Sequence, residues 1–150
     1  MRVRRELELP CPIEEAWGTL VDWERQADWM LDADSVVVTS GQREGPGVRL
    51  AVRTRLFGVP AFTEPMEVAG WEPPEKLTIR HGGLVEGFGV WELRALPTGG
   101  THFTWTEDVR LRVPVVGGLA ATLYRPVMRW LMGRAMAGLR RYTLATGPSR

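Results

Sequence analysis

The chain opens with a stretch of period two. Over residues 2–9, Val3, Leu7 and Leu9 fall on one face and Arg4, Glu6 and Glu8 on the other, which predicts a strand with one side against a core. Pro10-Cys11-Pro12 stops it. Pro12 suits the first position of a helix and Glu14 and Glu15 suit its first turn, while Ile13, Ala16, Trp17 and Leu20 form an apolar stripe at helical spacing. Asp22 is placed to cap a second short helix that runs to about Trp29. Alternation then returns for six strands, at about 34–40, 47–56, 61–71, 76–81, 86–96 and 101–112. Glycine- and proline-rich turns at 41–47, 57–60, 72–75, 82–83 and 97–100 separate them.

From Val116 to Tyr142 the period changes to 3.6. Leu119, Leu123, Val127, Trp130 and Leu131 share one helical face, which Tyr124, Ala135 and Tyr142 widen, and Arg125, Arg129 and Arg140 fall opposite with Thr122. Gly117-Gly118 precedes this helix and Gly147-Pro148 ends any continuation. Arg140 and Arg141 suit the negative end of its dipole. Pro126 predicts a kink or a split, and Arg134 falls on the apolar side. The order is strand, two short helices, six strands, long helix. It predicts an α+β domain over residues 1–150, with the last helix held in a curved antiparallel sheet and a ligand cavity between them.

Composition narrows the function. A chain of 150 residues fits one domain that buries about 68–70% of its unfolded surface. A net charge of +1 argues against a nucleic-acid partner. Cys11 is the lone cysteine, so neither an internal disulfide nor a cysteine metal cluster is expected. No signal peptide and no apolar run of spanning length is visible, which points to a cytoplasmic protein without a transmembrane segment. Seven tryptophans, at 17, 23, 29, 71, 91, 105 and 130, are many for this size, and tryptophan often lines pockets for flat or greasy ligands.

Four local patterns then carry a resemblance: Pro12-Ile-Glu-Glu-Ala-Trp17 entering the first helix, Asp22-Trp23 followed by Trp29, Trp71-Glu-Pro-Pro-Glu-Lys-Leu77 at a hairpin, and Gly99-Gly-Thr-His-Phe-Thr-Trp105 entering the last strand. With the element order, they resemble the START, polyketide cyclase/dehydrase and birch-pollen-allergen superfamily (SRPBCC, helix-grip fold) over nearly the whole chain. The resemblance implies a seven-stranded antiparallel sheet curved around the last helix, with the helical pair propping one end. It implies no particular activity, because such scaffolds host carriers, cyclases, stress proteins and cochaperones.

Strand parity selects the residues that see a cavity. Val48, Leu50, Val52, Thr54, Phe62, Glu64, Met66, Val68, Leu77, Ile79, His81, Trp91, Leu93, Thr101, Phe103, Trp105, Glu107, Val109 and Leu111 point inward. The expected ligand contacts are Phe62, Glu64, Met66, Ile79, His81, Trp91, Phe103, Trp105 and Glu107 from the sheet, and Leu123, Val127, Trp130 and Arg134 from the helix. Three ionisable residues interrupt the apolar inner face: Glu64, His81 and Glu107. They are candidates for catalysis, since His81 beside a carboxylate could serve as general acid or base in a dehydration or aldol-type cyclisation. Arg134 could neutralise a buried carboxylate. The plainer alternative is that Glu64 and Glu107 reach water at open ends of the sheet, His81 is a rim residue, and Arg134 snorkels past the helical pair.

Other chemistry has little support. His81 and His102 point to opposite faces, so no histidine metal site is expected, and no cofactor is expected either. The glycine-rich segments match neither a P-loop nor a dinucleotide turn, no nucleophile elbow exists, and Cys11 lacks an obvious base. Apolar residues in the turns cluster at one end of the sheet: Phe57 and Val59, then Leu84, then Val115 and Val116 in the link to the helix. They either close the sheet or form a mouth for a ligand, a membrane or a partner protein. The leading expectation is binding or transport of a hydrophobic small molecule such as a lipid, polyketide or aromatic metabolite. The alternatives are a polyketide cyclase, aromatase or dehydratase, and a cochaperone-like protein-binding module.

Overall fold

The computed structural model describes residues 1–56, 58–112 and 117–146. Seven strands form one antiparallel sheet: β1 (Arg2–Leu9), β2 (Ala33–Val38), β3 (Arg49–Leu56), β4 (Val59–Glu72), β5 (Lys76–Gly82), β6 (Val85–Ala95) and β7 (Thr101–Leu111). Their order is β1-β7-β6-β5-β4-β3-β2. The last six strands are a meander, as alternation predicts, and β1 pairs with the final strand, Val3 opposite Glu107 and Leu7 opposite Phe103. Register shifts between Ala33 and Ser35, Thr54 and Arg55, and Val68 and Gly70 bend the strands that curve the sheet.

Between β1 and β2 lie α1 (Ile13–Leu20), a 3₁₀ turn (Trp23–Arg25) and α2 (Gln26–Trp29). The stripe of α1 buries Ala16, Trp17 and Leu20, as its spacing predicts. The predicted side-chain cap at Asp22 does not form; its carboxylate lies 3.8 Å from Arg25 Nε instead. Buried Gln26 fixes this corner by donating to the Leu20 carbonyl at 2.7 Å, and Trp23 Nε1 donates to the Arg43 carbonyl at 2.9 Å.

The long helix, α3, spans Gly117–Ala145 and runs through Pro126 without splitting. Its orientation differs from the predicted phase. Met132, Ala135, Met136, Leu139 and Thr143 are buried, with Tyr124, Met128, Leu131 and Tyr142 half-buried beside them. Leu123, Val127 and Trp130 are 62%, 39% and 50% exposed. The helix is thus turned by about one position, toward residues that the apolar pattern places at its margin. Close backbone approach explains the turn: a Cβ on Gly138 would lie 2.1 Å from the Trp29 carbonyl oxygen. Only a glycine-bearing face can come down there. Arg5 holds the same rotation from the other side, donating from Nη2 to the Arg129 carbonyl at 2.9 Å.

The tryptophans pack largely on other aromatic rings. Trp91 meets Trp29, Phe103 and Trp105 at centroid distances of 6.0, 6.1 and 5.7 Å. Trp71 takes Trp17 at 5.2 Å and Trp23 at 6.3 Å. Tilted and edge-on pairs of this kind add about 0.5–1.5 kcal/mol each beyond their burial. They fill the end of the interior that the helical pair covers, which leaves the opposite end for polar groups.

Candidate functional site: a buried histidine–carboxylate cluster

Strand parity brings the three ionisable inner residues together. His81, near the end of β5, lies opposite Gly87 of β6, and the neighbouring inner position Gly89 lies opposite Glu107 of β7. His81 Nε2 stands 3.1 Å from Glu107 Oε2, with the side chains 13% and 6% exposed. Neither atom has another hydrogen-bond partner, so a proton on Nε2 joins the two, and without it both are left unsatisfied. The second oxygen of Glu107, Oε1, accepts from Trp105 Nε1 at 2.7 Å. Burial works against an imidazolium, but the hydrogen bond to Glu107, its charge and the charge of Glu64 outweigh it and raise the His81 pKa.

Glu64 is 3% exposed on β4. Its Oε1 accepts from the backbone N–H of Leu84 at 3.0 Å and of Val85 at 3.4 Å, while Oε2 has no hydrogen-bond partner. Glycines make room for both carboxylates. A Cβ on Gly83 would lie 1.8 Å from Glu64 Oε2, and one on Gly89 would lie 2.7 Å from Glu107 Oε1. The segment from Gly82 to Gly89 reads in sequence as a hairpin turn, and it also cradles two acids. From α3, Tyr124 is half-buried. Its pKa is pushed up to about 12 by burial and by the charges of Glu107 and Glu64, so it remains a neutral O–H donor.

The other expected contacts divide. Ile79, Trp91, Phe103 and Trp105 are buried, and Met66 is half-buried against the core. Phe62 is half-buried. Leu123, Val127 and Trp130 stand exposed because of the rotation of α3. Arg134 is exposed too, its guanidinium 4.9 Å from the Trp130 ring centroid. Its charge acts on Asp32, whose pKa burial raises and Arg134 partly lowers, so it does not supply the expected partner for Glu64 or Glu107. Of the apolar mouth, Val59 and Leu84 are 65% and 44% exposed; Phe57, Val115 and Val116 lie outside the described residues. An open groove of about 690 Å³ beside β5, β6 and β7 touches His81, but its wall is mainly the outward-facing Arg80, Glu86, Phe88, Asp108 and Arg110, and none of Glu64, Glu107 and Tyr124 lines it.

Elsewhere, His102 Nε2 lies on the other face, 3.6 Å from Glu6. Among the described residues no group of three histidine, cysteine or acidic side chains is placed to hold a metal ion. Cys11 is buried, and burial and Glu15 raise its thiol pKa, which keeps it protonated. Two half-buried residues are absent from the ligand contacts expected from sequence. Tyr124 carries a usable signal, since it leads the series Tyr124, Met128, Leu131 and Ala135 at spacings of four and three. Arg5 shares strand parity with Val3 and Leu7, the inward side of β1.

Comparison with solved structures supports the architecture. A protein from Thermus thermophilus matches with a TM-score of 0.82 at 23% identity, over 99% of this chain and 100% of that one. The Zhui aromatase/cyclase from a Streptomyces species matches at 0.75 and 17% identity, over 99% and 96%. A START superfamily protein from Mycobacterium smegmatis matches at 0.66 and 17% identity, over 95% and 93%. A search of curated proteins finds no match. The family model described as polyketide cyclase/dehydrase and lipid transport covers residues 1–143, and the chain belongs to that family.

Proposed function

We propose that the protein binds a hydrophobic small molecule whose polar end meets His81, Glu107, Glu64 and Tyr124. One observation carries the reading: an otherwise apolar inner face gathers two buried carboxylates and an imidazole, Glu64 Oε2 has no hydrogen-bond partner, and Tyr124 on α3 feels the charge of both acids. Buried polar groups that protein atoms leave unsatisfied are costly, and a ligand oxygen can complete them. Membership of the polyketide cyclase/dehydrase and lipid transport family and the fold shared with the Streptomyces aromatase/cyclase support a lipid, polyketide or aromatic metabolite as the ligand. No described helix is long and apolar enough to cross a membrane, and a cytoplasmic carrier is part of this proposal. Native mass spectrometry of the protein from its producing cells, followed by solvent extraction, tests it. A bound apolar species that is lost in Glu64→Leu/His81→Leu is the expected result, and a protein that carries and takes up no apolar compound contradicts it.

A second reading has its own support. The His81–Glu107 pair, when the imidazole is protonated, can deliver a proton to a ligand oxygen and take one back, with Tyr124 as a neutral hydrogen-bond donor. That is the equipment of a cyclase or dehydratase. Release of water from a β-hydroxyketone probe, abolished by His81→Gln with binding retained, distinguishes catalysis from carriage.

A further inference from the structure

We propose that the outer face of α3 docks on an anionic lipid bilayer. This surface is independent of the interior site. Leu123, Val127 and Trp130 lie on one exposed arc of the helix, and Arg134 and Arg141 continue that arc. The arginine at 134 lies over the Trp130 ring, at 4.9 Å. Among the described residues Trp130 is the tryptophan left half exposed to solvent, and it sits where its amphipathic ring would meet a headgroup layer.

Charge selects the occupant. The chain as a whole has 19 basic and 18 acidic residues, yet α3 holds five arginines and no acid, leaving 14 basic against 18 acidic elsewhere. The near-neutral total hides a strongly cationic helix on an acidic body. A second copy is a poor partner for this face, because twofold pairing would bring Arg134 and Arg141 of each copy to one apolar seam with no acid on either helix to offset them. A purely polar polyanion would leave Leu123, Val127 and Trp130 unburied. A surface that is anionic outside and apolar beneath satisfies both features, as with amphipathic helices that lie in the membrane interface. Beside this face, an open groove of about 510 Å³ between β1 and α3 has Leu7, Met136 and Leu144 in its walls with Arg5, Arg140 and Arg141, three cations against the single acid Glu6. It suits a lipid phosphate and the first carbons of its chain.

The test is flotation with vesicles of phosphatidylcholine alone and of phosphatidylcholine with phosphatidylglycerol. The protein should float with the anionic vesicles and be released as salt rises. Each cationic side chain near an anionic surface is worth about fivefold in partitioning. Arg134→Glu/Arg141→Glu should therefore lower binding by more than an order of magnitude, with the fold retained in circular dichroism, and Arg134→Lys/Arg141→Lys should retain binding. Brominated lipid should quench Trp130, a signal that Trp130→Phe removes. Equal binding to neutral vesicles, no binding to either, or charge reversal that leaves flotation intact would overturn the proposal. So would a dimer in sedimentation that Trp130→Ala dissolves.

Discussion

Gly89 lies directly across the β6–β7 pair from Glu107, and the missing methyl is what allows the carboxylate to fold back over the sheet. Gly89→Ala puts a Cβ 2.7 Å from Glu107 Oε1, the oxygen that Trp105 Nε1 holds at 2.7 Å. The carboxylate is the far end of a flexible side chain and can move, at the expense of that hydrogen bond and the one to His81. We expect a loss of about 1–3 kcal/mol, read as a lower melting temperature. Gly83→Ala should cost at least as much, because its Cβ would also meet Pro65 Cδ at 2.9 Å.

His81 gives the protein a defined pH response. Its folded-state pKa is raised, so the folded chain holds the proton more tightly than the unfolded one. The pair's stabilisation is therefore complete below the unfolded value, about 6.5, and is lost as pH rises through the folded value. Melting temperature should fall with rising pH across that window in the wild type. In His81→Gln that part of the slope should vanish; an identical slope in both would show that His81 does not sense Glu107.

Glu107→Gln separates charge from hydrogen bonding. The amide oxygen can still accept from Trp105 Nε1, but the charge that holds the imidazolium is gone. The His81 pKa should drop toward or below its ordinary value, readable from its imidazole resonances in a pH titration. Glu107→Leu removes the acceptor as well and leaves Trp105 Nε1 and a buried imidazole without partners, and it should destabilise by about 3–5 kcal/mol.

The rotation of α3 predicts an inversion of mutational cost. Leu139→Ala, at a fully buried position, should cost about 2–5 kcal/mol, whereas Leu123→Ala should stay within about 0.5 kcal/mol. Gly138→Ala should be severe, since the obstacle is the backbone of Trp29 and cannot yield like a side chain. Denaturant unfolding of the three variants checks this. The reverse order for Leu123 and Leu139 would restore the phase read from the apolar pattern.

Much of the fold and part of the site can be read from the chain itself. The parity of β4, β5 and β7 puts Glu64, His81 and Glu107 on the inner face, and period two sets out the meander. The helix is less readable, for a physical reason. Apolar periodicity finds a buried face only when burial selects the apolar residues, and Leu123, Val127 and Trp130 are apolar without being buried. What sets the rotation is backbone clearance at Gly138 and a hydrogen bond from Arg5, neither of which a hydrophobicity count registers. The same rotation leaves Tyr124 half-buried and Arg134 exposed over the Trp130 ring. Likewise, the glycines between Gly82 and Gly89 look like turn residues until the carboxylates they accommodate are seen.

If an apolar ligand places a polar group against His81, Glu107 and Tyr124, both His81 and Tyr124 must sense its arrival. The most direct measurement is an NMR titration with naphthol, a flat apolar probe with one hydroxyl, following the side-chain resonances of His81 and Tyr124 alongside those of Leu123 and Trp130. Saturable shifts at His81 and Tyr124 that Glu107→Gln weakens are the expected result. Shifts confined to the exposed Leu123 and Trp130, with His81 and Tyr124 unmoved, would contradict binding at this cluster.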